Sequence, residues 1–172
     1  MYHYIDSGLK NVWLASGYAL RMTPDGKSVA IYDLDGLGVA ICLALTKKPA
    51  PLTGEELRYI RNTGLMQLRA GLAKLLGNNE PAVVRWEKSG KVPRWADKLV
   101  RLLYLTHVDG KASIASVVER IDVIDRPEMQ KIVLKRARSG WVSSIELQTY
   151  GTVVRYDNPP DPVAEDDCET TG

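Results

Sequence analysis

The chain has no phenylalanine and few of the residues that bind metals or form disulfides. Its 172 residues include two cysteines, Cys42 and Cys168, and two histidines, His3 and His107. Two cysteines cannot build a disulfide framework, nor complete a tetrahedral zinc site by themselves. The histidines lie far apart and show no metal-ligand spacing. We therefore expect no metal and no cofactor, and we expect Cys42, inside "VAICLAL", to be a small core residue.

Long apolar runs are also missing. No stretch approaches the roughly 20 apolar residues that a transmembrane helix needs. The N-terminal "MYHYIDSGLKN" lacks the basic-then-apolar pattern of a secretory signal. Hydrophobic residues make up 45% of the chain and charged residues 26%, as in ordinary globular proteins. These features predict a cytoplasmic protein without a membrane partner, long enough to bury a real core.

Signals for catalysis are few. The glycines of "DGLG", residues 35–38, lack the spacing of a phosphate-binding loop. Asp33 and Asp35 lie beside a predicted turn, where carboxylates cap the following helix. A magnesium-dependent nuclease that uses such acids is an alternative, but no residue pattern singles it out. We expect the protein not to be an enzyme.

Charge is distributed unevenly along the chain. The net charge is only +2, yet residues 47–104 carry twelve Lys or Arg against five Asp or Glu. Residues 157–172 carry six acids and no base. A basic centre favours a polyanionic partner, although a charged face that is merely solvated is the simpler alternative. The acidic tail has the composition of a disordered segment.

The pattern along the chain predicts an α+β fold in which a central all-α module is flanked by small α/β segments. Residues 1–48 contain strand-like runs, a hairpin around the "TPDGK" turn, and the helix "LDGLGVAICLALTKK". Residues 107–156 are mixed: 113–124 could be helix or strand, a helix is expected after Pro127 in "PEMQKIVLKRARSG", and "WVSSIELQ" and "GTVVRY" suggest strands. Residues 157–172 form the expected disordered acidic tail.

Residues 52–106 predict four to five short helices. Thr53 and Glu56 have capping-box spacing and open the first helix, whose Leu57 and Ile60 face inward. The last, "RWADKLVRLLYL", is amphipathic. Its predicted inward side chains are Trp95, Leu99, Leu102 and Leu103.

Two of these helices are joined by a tight turn. "LRAGLAKLL" is followed by Gly77, which suits a backbone with positive φ, and then by Asn79 as N-cap and Pro81 in the first turn of the next helix. Leu72 and Leu76 of one helix, and Val83 and Trp86 of the other, are expected to share a core. This is a helix-turn-helix arrangement.

The stretch "LAKLLGNNEPAVVRWEKSG", preceded by "LRYIRNTG" and followed by "PRWADKLVRLLYL", resembles the lambda-repressor-like (XRE family) helix-turn-helix regulators. The resemblance covers residues 52–105, about a third of the chain. It departs from the family at one place. A glutamine is usual three residues before the Leu-Ala pair, whereas here that residue is Arg69 and Gln67 lies two residues earlier.

The resemblance implies that the helix around residues 80–88 enters the DNA major groove. Arg85 would donate to guanine, Glu80 would accept from cytosine N4, and Pro81 or Val84 would touch a thymine methyl group. The implied phosphate-contacting residues are Gln67, Arg69, Asn79, Lys88 and Lys91. Glu87 is expected to pair with Arg61 or Arg58 rather than face DNA.

We expect a sequence-specific transcriptional regulator, a repressor that binds an operator in double-stranded DNA as a homodimer. The dimer surface is expected in residues 1–46 or 107–156. One alternative is an antitoxin that neutralises a toxin, its protein partner, through the flanking segments and also regulates its own gene. Another is that the helix pair is purely structural.

Overall fold

The computed structural model describes residues 1–23, 26–109, 129–138, 140–149 and 152–157. These ranges contain five α-helices and two small sheets, so the predicted α+β class is confirmed. The strands are β1 Tyr2–His3, β2 Val12–Leu14, β3 Tyr18–Thr23, β4 Gly26–Ile31, β5 Met129–Ala137, β6 Gly140–Thr149 and β7 Thr152–Asp157. The helices are α1 Leu34–Lys47, α2 Gly54–Tyr59, α3 Arg69–Leu75, α4 Glu80–Ser89 and α5 Arg94–Asp109. None of the helices in the described ranges is long and apolar enough to cross a bilayer.

The larger sheet has the strand order β1-β2-β5-β6-β7. Strand β2 runs parallel to β5, whereas the other neighbouring pairs are antiparallel. Val12 lies opposite Ile132 and Leu14 opposite Leu134, and all four side chains are buried. The two ends of the chain therefore meet in one sheet and cover one face of the core.

The helix expected after Pro127 is wrong, because residues 129–137 form strand β5. Ile132, Val133 and Leu134 are buried in succession, a continuous apolar run of the kind found in buried strands, between the half-buried Lys131 and the exposed Lys135. Hydrogen bonding to β2 on one side and β6 on the other overrides the local helix signal. The predicted strands around β6 and β7 are confirmed.

Some predictions lie partly or wholly outside the described residues. The ambiguous segment 113–124 is one, and residues 158–172 of the expected acidic tail are another. Asp157, which we assigned to the tail, is instead the last residue of β7.

Helix α1 is the central element of the fold. The predicted hairpin β3–β4 leads into it, and the Asp33 side chain caps its first turn by accepting a hydrogen bond from the Gly36 N–H. One side of α1 contacts β5 and β6, and the other contacts α5 and a π-helical turn at Ile60–Gly64. A helix covered on two sides must be apolar around most of its circumference, which explains why Cys42 is buried as predicted. Core side chains from all three predicted segments form one cluster, and the boundaries between those segments remain a prediction.

Helix α5 is rotated relative to the face that its sequence suggested. Trp95 was expected inside but is 47% exposed, while Leu99, Leu102 and Leu103 are only half-buried. The buried residues are Ala96, Asp97, Val100, Arg101 and Tyr104. The hydrophobic pattern of α5 predicted the wrong inner face because two charged residues, Asp97 and Arg101, lie on the true inner face as an ion pair.

The Arg101 guanidinium holds the connection between α1 and α2. Its Nε donates to Asp97 Oδ1 at 2.8 Å, its Nη1 to the Lys48 carbonyl at 2.7 Å and its Nη2 to the Ala50 carbonyl at 2.7 Å. Nη1 also reaches the Thr46 carbonyl at 3.1 Å. The side chain is 1% exposed. These donors satisfy carbonyls that the proline-containing linker leaves without helical partners.

We predict that Arg101→Met destabilises the fold by about 3–5 kcal/mol, because it leaves a buried carboxylate and three carbonyls unpaired. Urea unfolding at pH 7 measures the loss. Arg85→Met is the matched control: the same substitution on an exposed side chain should change stability by no more than about 0.5 kcal/mol. Equal unfolding free energies for the two variants would contradict the structural role of Arg101.

Candidate nucleic-acid interface

Helices α2 to α5 and the π-helical turn, together called the helical group, begin at a firmly held helix end. Thr53 and Glu56 form the predicted capping box, in which the Thr53 hydroxyl accepts from the Glu56 N–H and the Glu56 carboxylate accepts from the Thr53 N–H. The buried Glu56 carboxylate also pairs with Lys48 at 2.6 Å and accepts from the Asn11 amide at 3.1 Å. The start of α2 is thereby tied to α1 and to the N-terminal strands.

The turn between α3 and α4 has the predicted chemistry. Gly77 has φ of 62° and Gly90, just after α4, has φ of 70°, so both occupy the left-handed region that favours glycine. The Asn79 side chain accepts a hydrogen bond from the Ala82 N–H at 3.0 Å, and Pro81 lies in the first turn. Local residue choices therefore determine where α4 starts and where it ends.

The inner side of α4 packs against α3. Ala82, Val83 and Trp86 are buried there. On α3 the buried partners are Leu72 and, just after its end, Leu76, as the sequence predicted, together with Ala73. The exposed Trp95 lies edge-on to Trp86, with ring centroids 5.6 Å apart.

Glu87 links three segments of the helical group. Its Oε1 accepts from Arg61 Nε at 2.6 Å and its Oε2 from Arg69 Nε at 2.8 Å. Its side chain is 3% exposed. Burial alone would raise the pKa of the Glu87 carboxyl, but the hydrogen bonds and charges of the two arginines outweigh burial and hold that pKa below 4.5. The predicted pairing with Arg61 is confirmed, Arg58 takes no part, and the bond to Arg69 was not foreseen.

The outward side of α4 brings the predicted base-contacting residues together. Glu80, Pro81 and Arg85 are exposed and Val84 is half-buried. With Lys88 and Ser89 they line one shallow, open depression. A carboxylate, two apolar contacts and a guanidinium thus lie side by side on a helix whose opposite face is fixed in the core.

The five predicted phosphate-contacting residues have different surroundings. Lys88 and Lys91 are exposed. Asn79 is exposed but uses its carbonyl oxygen as the α4 cap. Gln67 is half-buried, with its Oε1 beside Gly71. Arg69 is 39% exposed and already held by Glu87, so any phosphate contact must use its other donors.

The surface of this region keeps the excess of bases that its sequence shows. Three of its five acids, Glu56, Glu87 and Asp97, are buried in ion pairs. The acids left exposed are Glu55 and Glu80. The exposed bases are Arg58, Lys74, Arg85, Lys88, Lys91, Arg94 and Lys98. Such a surface attracts polyanions through long-range electrostatics.

In the described part of the chain, no three His, Cys, Asp or Glu residues cluster in a way that could hold a metal ion. No protein-family model, curated protein or solved structure matches this chain.

We predict that Glu87→Gln destabilises the protein by about 3–5 kcal/mol at pH 7, since the buried Arg61 loses its counter-charge. A carboxyl group whose pKa is lowered by folding stabilises the folded state at pH values above its ordinary pKa. This stabilisation is lost as the pH falls through the pKa of the folded state. The difference between wild type and Glu87→Gln should therefore be constant from pH 7 to about 5 and shrink below pH 4.5.

Urea unfolding of wild type and Glu87→Gln between pH 7 and pH 3 measures the loss of stability and its pH dependence. Glu80→Gln on the exposed face of the same helix is the control and should cost less than about 1 kcal/mol. A stability difference for Glu87→Gln that does not change between pH 5 and pH 3 would contradict the ion pair.

Proposed function

We propose that this protein is a sequence-specific DNA-binding transcriptional regulator, a repressor that binds its operator as a homodimer. The observation that carries the proposal is the outward face of α4, where Glu80, Pro81, Val84 and Arg85 lie together while Glu87 anchors the opposite side. An α-helix fits the major groove of B-form DNA, and this helix projects its polar side chains from a basic surface.

The side chains of that face are suited to base recognition. Arg85 has two donors in the geometry that guanine O6 and N7 accept, a contact worth about 1–3 kcal/mol of discrimination. Glu80 can accept from cytosine N4, and Pro81 or Val84 can contact a thymine methyl group. Because the ion pairs of Glu87 fix the position of α4, these groups keep their spacing on the helix when DNA approaches.

Contacts to the phosphates would set the register of the helix in the groove. Lys88 and Lys91 flank the C-terminal end of α4, Asn79 its N-terminal end, and Gln67 and Arg69 the start of α3. Phosphate contacts add affinity without sequence preference, so the specificity must come from the base-contacting residues.

We propose a homodimer because a single helix-turn-helix module is small. One recognition helix contacts only a few base pairs, and two copies about 34 Å apart read a longer, symmetric site. The hairpin β3–β4 offers a contact surface, because Leu20 and Met22 are 63% and 79% exposed on one face of β3. We assign the dimer contact to this hairpin.

The exposed hairpin also favours the second candidate function. An antitoxin must present apolar surface to its toxin, and Leu20 and Met22 would serve a protein partner as well as a second copy. The oligomeric state of the isolated protein separates the two roles.

We predict that the wild-type protein binds its own upstream DNA more tightly than shuffled DNA at about 150 mM salt, with affinity falling steeply as salt rises. Arg85→Ala should lose about 1–3 kcal/mol of specific affinity, because one base-pair contact is removed. Fluorescence anisotropy across a salt series measures both. Arg138→Ala removes an equal charge from an exposed turn between β5 and β6 and should leave the site preference intact. Equal loss of preference in both variants would overturn the role of Arg85.

We predict a dimer at micromolar concentration in size-exclusion chromatography with light scattering, and a monomer for the double variant Leu20→Ser, Met22→Ser. Ile5→Ser is the control, since Ile5 is 64% exposed outside the hairpin. A monomeric wild type would eliminate the homodimer and leave the hairpin to a different protein, as the antitoxin function requires.

A further inference from the structure

A second concave surface lies away from the α4 face and shares no residue with it. This cleft of about 710 Å³ is formed by four pieces of chain: a 3-10 turn at Ile5–Ser7, the start of α1, helix α2 and the π-helical turn. Its volume is in the range of small-molecule sites. The side chains used below are Asp6, Leu34, Asp35, Val39, Glu55, Arg58, Asn62 and Met66.

Part of the cleft is apolar and open to solvent. Leu34, Val39 and Met66 are 57%, 44% and 84% exposed, although all three border the same depression. Large apolar side chains exposed together around a concavity mark binding surfaces more often than inert ones. A ligand with an apolar body would remove them from water.

The charged side chains of the cleft favour a positively charged ligand. The charged residues that line the cleft are three acids, Asp6, Asp35 and Glu55, and one base, Arg58. Glu55 is paired with Lys10 at 3.0 Å, whereas Asp6 and Asp35 make no ion pair with any described residue. A phosphate, a nucleic acid or the acidic segment 157–172 would be repelled here, while an amine would gain two carboxylate partners.

The cleft also adjoins the residues that hold α4. Asn62 lines it, and the Asn62 side-chain oxygen accepts a hydrogen bond from Arg61 Nη1. The same guanidinium donates to the Gln67 carbonyl at 2.8 Å and to Glu87 of α4 at 2.6 Å. A group that competes for the Asn62 side chain therefore acts on the arginine that positions α4. Turns of π-helix are often found at functional sites.

We propose that this cleft binds a small organic cation, an amine with an apolar body, and that its occupancy changes the DNA affinity of α4 through Asn62 and Arg61. The amine pairs with Asp6 and Asp35 and competes with Arg61 for the Asn62 side-chain oxygen, while the apolar body covers Leu34, Val39 and Met66. The binding step stands independently of the proposed function, whereas the effect on DNA rests on it.

The test is calorimetric titration of the full chain, without DNA and at low salt, with 2-phenylethylamine as the probe. We expect one saturable site. The double variant Asp6→Asn, Asp35→Asn should bind at least about tenfold more weakly, since it loses both carboxylate partners. Glu165→Gln with Asp166→Asn is the matched control: it removes the same two charges from the C-terminal segment and should bind like wild type. The matched anion 3-phenylpropionate should not bind.

Absence of saturable binding would overturn the proposal, and so would equal binding by the double variant or by the anion. The DNA step uses the anisotropy assay with saturating amine. We expect operator affinity to change about fivefold or more in wild type and to remain unchanged in Asn62→Ala, which keeps both carboxylates of the cleft.

The two proposals fail in different ways. Amine binding without any DNA binding would remove the proposed function and leave the ligand site standing. DNA binding that ignores bound amine would remove the coupling alone.

Discussion

The geometry of the helical group depends on one buried carboxylate. Glu87 lies on α4, yet its two oxygens are bound by arginines from the π-helical turn and from α3. A charge of this kind is expensive to bury, and only a complete set of partners makes the burial tolerable. Any displacement of α3 or α4 would break one of these bonds. The ion pairs therefore define one relative position for the two helices, whereas apolar packing alone would permit several.

The same principle recurs where the chain passes from α1 to α2. Arg101 donates hydrogen bonds to the linker carbonyls, and Asp97 balances its charge. The Glu56 carboxylate accepts hydrogen bonds from Lys48, from Asn11 and from the backbone N–H of Thr53 at the start of its own helix. Arg101 and Glu56 thus each have a partner from a distant part of the sequence. The internal pairs also remove nearly equal numbers of acids and bases from the surface, and because the region began with an excess of bases, the exposed charge that remains is strongly positive.

The elements that could be predicted from sequence are those that local chemistry determines. The Thr53 capping box, Gly77, Asn79 and the ends of α4 follow from residues within a few positions of one another. Strand β5 was missed because its pairing partners are more than a hundred residues away at β2 and just beyond a turn at β6. The orientation of α5 was missed for a related reason. The burial of Arg101 depends on the backbone carbonyls of residues 46–50, and no residue near Arg101 in the sequence indicates that these carbonyls lie beside it.

In the candidate site, too, the residues that local sequence determines could be predicted, and those that depend on distant contacts could not. The outward residues of α4 could be placed by helical periodicity, because a helix with a known inner face has a known outer face. The partner of Arg69 could not be placed because the bond requires the packing of α3 against α4. The acidic cleft could not be placed because it requires the three-dimensional arrangement of α1, α2 and the π-helical turn.

The π-helical turn lies between the cleft and the ion pairs of α4. It places Arg61 inside, bonded to Glu87, and the adjacent Asn62 outside at the cleft. Gly64 closes it, where any side chain would collide with the ring of Tyr104. With one end of the turn held by that contact and the other by Arg61, a change at Asn62 has few ways to relax other than through the arginine that positions α4.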